Sequence, residues 1–401
     1  MALTFRSSSR VHVVARLTAL VALAACSCVS AIAQSGPIKV GMALDISGPF
    51  AGPGAEARDG FALAIKQLGG KLGGQPVEFV QTDMAGSPDQ AKQLVDRFVQ
   101  REKIDLFTGP IASNVALAVA PSLFAAKVPY LSNNAGPSQL AGAQCNAYFF
   151  GTAYQNDQFH EAAGQFAADQ KFGRMVVMAP NYPAGKDGIT GFKRKFKGQV
   201  ADEIYTKVGQ IDYATELAQL RAAKPDAVYF FLPGAMGINF IKQFVGAGLS
   251  KDITLVTSGF SSDEDVIGAV GEPMLGVLNS SQWAHDLDNA ANKRFVADFQ
   301  KEYGRLPTLY AAQGYDTARL IDAAVRDVQG KTEDKDAVRK ALLAARFESV
   351  RGAFKFNTNQ YPVQSYYLRE VVKDAQGRIT NKTVGKVFDA HADAYASECK
   401  M

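Results

Sequence analysis

Short apolar segments alternate with amphipathic helical segments along the chain, and this alternation constrains the fold more than any other feature. Ile38–Leu44 is predicted as a buried strand, and Gly54–Leu68 places its apolar side chains on one helical face. Further strands are predicted at Pro76–Gln81, Ile104–Phe107, Val128–Leu131, Tyr148–Phe150, Arg174–Met178, Ala227–Leu232 and Ile253–Thr257. Because alternating strands and helices build parallel sheets that are covered on both faces, the sequence predicts an α/β protein.

The predicted strands are too many for one compact sheet, so two α/β lobes fit the pattern better. Ser87 followed by Pro88 predicts the N-terminus of a helix, with the serine as its N-cap. Near the C-terminus, Tyr366–Val372 and Thr383–Phe388 are separated by the turn residues Asp374–Gly377. These segments predict a β-hairpin.

Residues 1–33 have the pattern of a secretory signal peptide. Arginines precede the apolar run Leu17–Ala25, and the small residues Ala31-Ile32-Ala33 follow it. This order is typical of a signal that is cleaved, here after Ala33, and the apolar core is too short to remain as a membrane span. The alternatives are a buried N-terminal helix and a lipobox that would leave Cys26 lipid-anchored. We expect cleavage after Ala33 and export.

Cleavage after Ala33 leaves Cys145 and Cys399 as the cysteines of the mature chain. Two cysteines in an exported chain predict one disulfide, the alternative being two unrelated thiols. The chain carries 43 Lys and Arg against 39 Asp and Glu, and three of the arginines belong to the predicted signal peptide. Such a balance lacks the concentrated basic surface of a nucleic-acid-binding protein, so no nucleic-acid partner is expected.

The sequence lacks the motifs of the common enzyme classes. It contains no G-x-G-x-x-G and no G-x-S-x-G, and His160-Glu161 begins like a zinc-protease helix without a second histidine. His160, His285 and His391 are widely separated and are interpreted as surface or capping histidines. The sequence therefore predicts no enzyme, no catalytic residue, no metal site and no cofactor.

Three polar loops follow predicted strands in the first half of the chain: Asp45–Phe50, Gly109–Asn114 and Ser132–Ser138. Ligands of open parallel sheets bind at the carboxyl ends of the strands. Ser113 also starts a predicted helix, and the free N–H groups of a helix N-terminus favour an anion. Each loop alone is more simply explained as a turn or a helix cap, but three in one lobe indicate a ligand site.

The opening Gly41–Pro49, the loop Gly109–Ser113 and Tyr315-Asp316 within the helix Leu309–Val328 resemble periplasmic substrate-binding proteins of the branched-chain amino-acid type. The resemblance runs from about residue 37 to residue 390 and covers nearly all of the mature chain. It implies a periplasmic, monomeric binding protein whose partner is the permease–ATPase complex of an ATP-driven (ABC) importer.

The same resemblance implies the type I periplasmic-binding-protein fold, in which two Rossmann-like lobes close on a ligand like a hinged trap. The first lobe is expected to comprise residues 34–150 and 282–358, and the second lobe residues 151–281 and 359–401. The crossover segments are expected near Phe150–Ala153, Asn279–Trp283 and Asn357–Val363.

The resemblance also assigns binding roles to individual residues. Those that grip the ligand carboxylate are Ser113, Ala135 and Gly136, with Asn134 pointing its amide into the same space. From the second lobe, Tyr182 covers the ligand, and Pro233 and Gly234 form an adjacent loop. Ser47 of the first polar loop completes this part of the expected site.

The expected ligand class depends on the loop Ser258–Ser262. In amino-acid binders of this family, an acid from this loop neutralises the ammonium group of the ligand. Here Phe260 or Ser261 takes the acidic position, although a shift of two residues would bring Asp263 or Glu264 there instead. A buried ammonium without a counter-charge is strongly disfavoured, so loss of the acid predicts a ligand that has a carboxylate and no amine.

Three segments, Ser132–Ser138, Gly151–Gln158 and Asn181–Asp187, resemble a sub-branch associated with aromatic acids. The side chains expected to contact a ring are Tyr154, Tyr182, Phe260 and Trp283. The sequence thus predicts a benzoate- or hydroxycinnamate-like ligand. The alternatives are a branched-chain or other amino acid in the same fold, and a sensory ligand-binding domain.

Overall fold

The apolar runs of the sequence form the central strands of two sheets. The computed structural model describes residues 36–344 and 346–401, together with residues 1, 2 and 4. The predicted signal peptide, including Cys26, lies outside the described residues except at those three positions. The strands are β1 Ile38–Leu44, β2 Lys71–Leu72, β3 Gln75–Asp83, β4 Leu106–Thr108, β5 Tyr130–Ser132, β6 Phe149–Gly151, β7 Arg174–Pro180, β8 Gln199–Thr206, β9 Ala227–Phe230, β10 Thr254–Ser258, β11 Leu278–Ser281, β12 Lys355–Phe356, β13 Pro362–Lys373 and β14 Ile379–His391.

Helices connect most of these strands. They are α1 Ala51–Gln67, α2 Pro88–Arg97, α3 Ser113–Ala125, α4 Ser138–Ala141, α5 Asn156–Asp169, α6 Pro183–Lys195, α7 Ala214–Ala223, α8 Ala235–Gly246, α9 Glu264–Val270, α10 Ala290–Tyr303, α11 Leu309–Asp327 and α12 Lys335–Ala344. The predicted start of α2 is confirmed, since the Gln90 N–H donates to the Ser87 hydroxyl at 3.5 Å. Among the described residues, none of the helices combines the length and apolar character that a membrane span requires.

The first sheet has the strand order β2-β3-β1-β4-β5-β6, with β3, β1, β4, β5 and β6 parallel. The second sheet has parallel strands in the order β8-β7-β9-β10-β11, extended by antiparallel β13, which also pairs with β12 and β14. In each sheet the order of the parallel strands reverses, at β1 in the first and at β7 in the second. Ligands of open α/β sheets bind beyond the carboxyl ends of the strands at such a reversal.

Each sheet and the helices that cover it form one lobe, which confirms the predicted two-lobe α/β architecture. In the first lobe, α1 packs closely against α11. A Cβ atom at Gly60 would lie 1.9 Å from the Ala311 carbonyl oxygen, and one at Gly314 would lie 2.0 Å from the Ala57 carbonyl oxygen. The two helices therefore require glycine at both contacts, and this contact brings the start of α11 toward the carboxyl ends of the first sheet.

The chain crosses between the lobes after β6, after β11 and around β12. A crossover is expected near Asn279–Trp283; the first part of this segment belongs to the strand Leu278–Ser281, which pairs with both β10 and β13. The chain leaves the second sheet only after Ser281. The residue boundaries of the two lobes stay a prediction.

Two further expectations are confirmed. The hairpin at the C-terminus is β13 and β14. The disulfide joins Cys145 to Cys399, with Cα atoms 5.6 Å apart across a sequence separation of 254 residues. It ties the end of the chain to the segment that precedes β6.

Candidate functional site

A small cavity, of about 10 Å³, lies between loops of the first sheet and loops of the second. Most of its lining side chains are aromatic or apolar, and none of the described residues that line it is charged. They are Phe50, Ile111, Ser113, Asn134, Tyr154, Asn156, Phe159, Tyr182, Ala184, Phe231, Pro233, Phe260 and Tyr310. A larger crevice of about 670 Å³, near Leu220 and Ile253, lies instead at the amino ends of β9 and β10.

One end of the cavity is suited to an anion. Ser113 is the first residue of α3 and is almost completely buried. Within this helix the first backbone bond is donated by Ala116 to the Ala112 oxygen, so the N–H groups of Ser113 and Asn114 have no helical acceptor. Free N–H groups and the positive end of the helix dipole together favour a negatively charged ligand atom.

Side chains hold the loops around this end in place. The Asp45 carboxylate accepts a bond from the Ile111 N–H at 2.8 Å, and the Asn134 amide donates to the Ile111 oxygen at 2.8 Å. The Tyr154 hydroxyl donates to Asn134 Oδ1 at 2.9 Å. Asn134 therefore lines the cavity as expected, but its amide is engaged in fixing the second polar loop and Tyr154.

The third polar loop differs from the expectation. The Gly136 N–H donates to Asn156 Oδ1 at 3.1 Å, and Ala135, although buried, does not line the cavity. The amide that was expected to grip a ligand carboxylate at Gly136 thus has a partner within the protein. Asn156 takes this position because the first crossover places the start of α5 directly beside the loop, where the Asn156 N–H also donates to the Gly136 oxygen at 2.8 Å.

Aromatic rings form the walls of the cavity. The ring of Phe260 lies 4.6 Å from that of Phe159, 5.2 Å from that of Tyr154 and 5.2 Å from that of Tyr310. The Tyr182 ring stacks at 6.4 Å on Phe231. Burial raises the pKa of Tyr154 and of Tyr310 well above the ordinary range of a phenol, so both hydroxyls stay neutral.

The carboxylates that follow Phe260, Asp263 and Glu264, do not line the cavity and have partners elsewhere. Asp263 is buried and accepts bonds from Arg369 Nη1 at 3.1 Å and from the Leu309 N–H at the start of α11. Glu264 accepts bonds from the Thr380 hydroxyl at 2.9 Å and from Asn381. Phe260 itself lines the cavity, so the alternative alignment that would put Asp263 or Glu264 against the ligand is not supported by the geometry.

Other residues expected at the site lie elsewhere. Trp283 is buried, but its indole N–H donates to Asn292 Oδ1 at 2.7 Å and its ring lies 6.1 Å from that of Phe295, because the second crossover turns it toward α10. Ser47 is exposed and precedes a 3₁₀ turn. His160, interpreted from the sequence as a surface or capping residue, is buried and its Nδ1 contacts the Tyr229 hydroxyl.

The second-lobe loop after β9 places one residue in the cavity lining and one at the contact between the two lobes. Pro233 lines the cavity. Gly234 lies beside it with φ of 60°, and a Cβ atom there would approach Pro53 Cδ of the first lobe to 3.2 Å. Glycine thus allows a left-handed backbone and a close approach of the two lobes at the rim of the site.

Sequence reasoning missed several residues of the lining: Phe50, Ile111, Asn156, Phe159, Ala184, Phe231 and Tyr310. Two of them carry a recognisable signal. Asn156 opens the helix after a crossover, and Tyr310 follows Thr308, whose hydroxyl accepts a bond from the Ala311 N–H as the N-cap of α11. Polar or aromatic residues in the first turn of a helix could therefore have been included.

Comparison with known proteins finds a matching family model and a curated relative. A family model described as periplasmic binding protein matches residues 37–376. A curated relative, Leu/Ile/Val-binding protein homolog 6 of Brucella melitensis, is 28% identical over 384 residues, which are 94% of this chain and 97% of the relative.

Two solved structures are also similar. A solute-binding protein of an ABC transporter from Rhodopseudomonas palustris, in complex with benzoate, is 33% identical with a TM-score of 0.87 and covers 91% of this chain and 100% of its own. Another, from Rhodopseudomonas palustris BisB5 in complex with 3,4-dihydroxybenzoic acid, is 31% identical with a TM-score of 0.82 and covers 89% and 99%.

Proposed function

This chain belongs to the periplasmic binding protein family, and from that membership we propose that it is the periplasmic solute-binding component of an ABC importer. Its fold is the type I periplasmic-binding-protein fold, and its role is binding rather than catalysis. The ligand that we propose is a small aromatic carboxylate. The permease–ATPase complex of the importer is its proposed partner.

The observation that carries this proposal is the uncharged, aromatic lining with an anion-binding end. An amino acid would bury its ammonium group among Phe159, Phe231 and Phe260 with no carboxylate beside it. Leaving a buried charge without a partner is strongly destabilising. A carboxylate, in contrast, finds the N–H groups at the start of α3 and the Ser113 hydroxyl.

The magnitudes agree with a transport protein. Burying about 150 Å² of ring surface contributes about 4 kcal/mol at about 25 cal/mol per Å². Each hydrogen bond to the carboxylate contributes about 1.5–3 kcal/mol. With two or three such bonds the favourable contributions sum to about 7–13 kcal/mol, from which the costs of ordering the ligand and closing the lobes are subtracted, so we expect an affinity no tighter than about micromolar.

The cavity is much smaller than a benzoate molecule, because the rings of Tyr154, Phe159, Phe260 and Tyr310 pack against one another. Ligand entry therefore needs separation of the lobes together with movement of these rings. The similar solved proteins, in complex with benzoate and with 3,4-dihydroxybenzoic acid, support a ligand that combines one ring with one carboxylate.

Calorimetric titration of refolded, ligand-stripped protein tests the proposal. Benzoate and hydroxybenzoates should bind with micromolar dissociation constants. Benzamide has the same ring without the charge, so it should bind at least about tenfold more weakly. Leucine and valine should give no heat. Binding of leucine or valine in preference to benzoate would overturn the proposed ligand class.

A further inference from the structure

A buried carboxylate joins the two lobes beside the cavity. Asp187 lies in α6, which follows β7 of the second sheet, and only 7% of its surface is exposed. Its Oδ1 accepts a bond from the Ser138 hydroxyl at 2.7 Å, and its Oδ2 accepts one from the Ser138 N–H at 3.0 Å. Ser138 begins α4, which follows β5 of the first sheet. The two bonds therefore connect the lobes directly.

The same carboxylate is connected to the anion-binding end of the cavity through Asn156. Asn156 Nδ2 donates to Asp187 Oδ2 at 2.9 Å and to Ser113 Oγ at 3.2 Å. The amide cannot be reversed without loss, because Asn156 Oδ1 accepts the Gly136 N–H, which can only donate.

This arrangement determines where the Ser113 proton points. A hydroxyl group has one hydrogen to donate, and its oxygen accepts from Asn156. The Ser113 hydrogen is consequently directed away from Asn156 and is available to a ligand in the cavity that Ser113 and Asn156 both line. Asp187, which does not line the cavity, holds the Asn156 amide in the orientation that produces this result.

We propose that Asp187 is a positioning residue that holds the lobes closed through Ser138 and, through Asn156, directs the Ser113 hydroxyl toward the ligand carboxylate. The second half of this inference rests on the proposed function, whereas the bridge to Ser138 does not. Opening the lobes separates Ser138 from Asp187, so the bridge forms only when the site is assembled. Ligand release then requires its rupture.

Two substitutions of Asp187 distinguish the loss of its hydrogen bonds from the loss of its negative charge. In Asp187→Ala, the Ser138 and Asn156 donors lose their acceptor. In Asp187→Asn, the amide oxygen can accept from the Ser138 N–H and from Asn156, while its N–H₂ group donates to the Ser138 hydroxyl oxygen, which then acts as acceptor. The asparagine variant should therefore keep most of the bridge and show benzoate kinetics close to those of the unaltered protein.

A control exists within the second lobe. Asp226 is an exposed carboxylate that accepts bonds from the Gly173 and Arg174 N–H groups at 2.8 Å each, and both donors belong to its own lobe. Asp226→Ala removes a hydrogen-bonded carboxylate of the second lobe that takes no part in the bridge.

The first measurement is benzoate binding by stopped flow and calorimetry. Asp187→Ala should raise the dissociation rate by about tenfold or more and reduce the preference for benzoate over benzamide, because the Ser113 hydroxyl is no longer directed. Asp187→Asn and Asp226→Ala should leave both quantities within about threefold. Dissociation rate and preference unchanged in Asp187→Ala would overturn the proposal.

The second measurement needs no ligand. Melting temperatures of Asp187→Ala, Ser138→Ala and the double variant form a thermodynamic cycle. If the bridge exists, the melting temperature of the double variant should be no lower than that of the less stable single variant. Fully additive losses would show that Asp187 and the Ser138 hydroxyl do not stabilise each other and would contradict the bridge, of which Ser138→Ala leaves only the backbone N–H bond. Failure of benzoate to bind the unaltered protein would instead refute the proposed ligand. The melting-temperature cycle would still show whether Asp187 and Ser138 stabilise each other.

Discussion

Ser113 combines a hydroxyl group with the first N–H groups of a helix, and its oxygen already accepts a bond from Asn156. Its own hydrogen is therefore the donor that it can offer to a carboxylate. We expect Ser113→Ala to weaken benzoate binding by about tenfold, the loss of one charge-assisted hydrogen bond.

Calorimetric titration measures this effect. Ser122→Ala, near the end of the same helix and outside the cavity lining, is the matched control and should bind benzoate normally. Equal affinities of Ser113→Ala and the unaltered protein would contradict the assigned role of the hydroxyl.

Several buried carboxyl groups make stability depend on pH. Burial raises the pKa of Glu56 to about 7, although Arg305, 2.8 Å away, opposes this effect. Burial likewise raises the pKa of Asp157 and of Asp265 to about 7. Unfolded carboxyl groups titrate near about 4, so the folded protein binds these protons more tightly. Their contribution to stability is present below pH of about 4 and is lost as the pH rises through about 7.

We therefore expect the melting temperature of the ligand-free protein to fall as the pH rises from about 5 to about 7 and to change little above that. Glu56→Gln should reduce this slope, because glutamine does not titrate, while the other raised groups preserve part of it. Glu302→Gln at an exposed ion pair with Lys66 is the control. A slope in Glu56→Gln equal to that of the unaltered protein would contradict the assignment.

At the residue scale, sequence reasoning located part of the cavity lining. Six of the predicted residues line it: Ser113, Asn134, Tyr154, Tyr182, Pro233 and Phe260. Their contacts with a ligand remain a prediction. Trp283 does not line it. A large apolar side chain can be buried in many directions, and its sequence position alone does not say which neighbour it will contact.

At the scale of elements, the contact between α1 and α11 depends on glycine. A Cβ atom at Gly314 would lie 2.0 Å from the Ala57 oxygen, so alanine there forces the helices apart. We expect Gly314→Ala to lower the free energy of unfolding by about 1–3 kcal/mol, as overpacking does. Urea denaturation measures this change.

The control is Gly246→Ala at the end of α8, where nothing lies within 4 Å of the added atom. Alanine should be neutral or stabilising there because it is the better helix former. If both substitutions had the same effect, the close approach of α1 and α11 would not explain the glycine.

Most of the strands that are buried on both faces were predicted, with β11 as an exception, and the edge strand β8 was missed. β1 has the predicted bounds, since its apolar run is continuous and nearly every residue is buried. β8 was missed because it lies at the edge of its sheet and its middle carries two adjacent exposed charged residues, Asp202 and Glu203, which interrupt any apolar run. A local apolar run indicates a buried strand, and an edge strand is less buried than a central one.

At the scale of the whole molecule, one buried arginine joins the segments that connect the lobes. Arg351 donates to the carbonyl oxygens of Thr152 at 2.8 Å and Ala153 at 2.7 Å, and to Gln364 Oε1 at 2.8 Å. Its Nε also pairs with Asp316 at 2.9 Å, and both side chains are about 2% exposed or less. The first and third crossovers are thus bound to α11 through a single side chain.

Arg351→Met removes the guanidinium and leaves the Asp316 charge buried without its partner. We expect a loss of about 3–5 kcal/mol in the free energy of unfolding, measured by urea denaturation. The control is Arg346→Met at an exposed pair with Asp327, where the loss should stay below about 1 kcal/mol. Similar losses in the two variants would contradict the role of Arg351 as the connection between the crossovers.

Local patterns in the sequence predicted most of the strands and helices, although not β8 and β11, together with the two-lobe α/β fold and a disulfide between Cys145 and Cys399. These predictions follow from local periodicity, from cap and turn residues and from the two cysteines that lie outside the predicted signal peptide. The packing of distant segments, which no local pattern predicts, pairs Asp263 with Arg369, brings Asn156 into contact with both Ser113 and Asp187, and directs Trp283 toward Asn292 instead of the cavity. Each of these outcomes depends on which distant segments pack together, and the pattern of a single segment contains no information about its future neighbours.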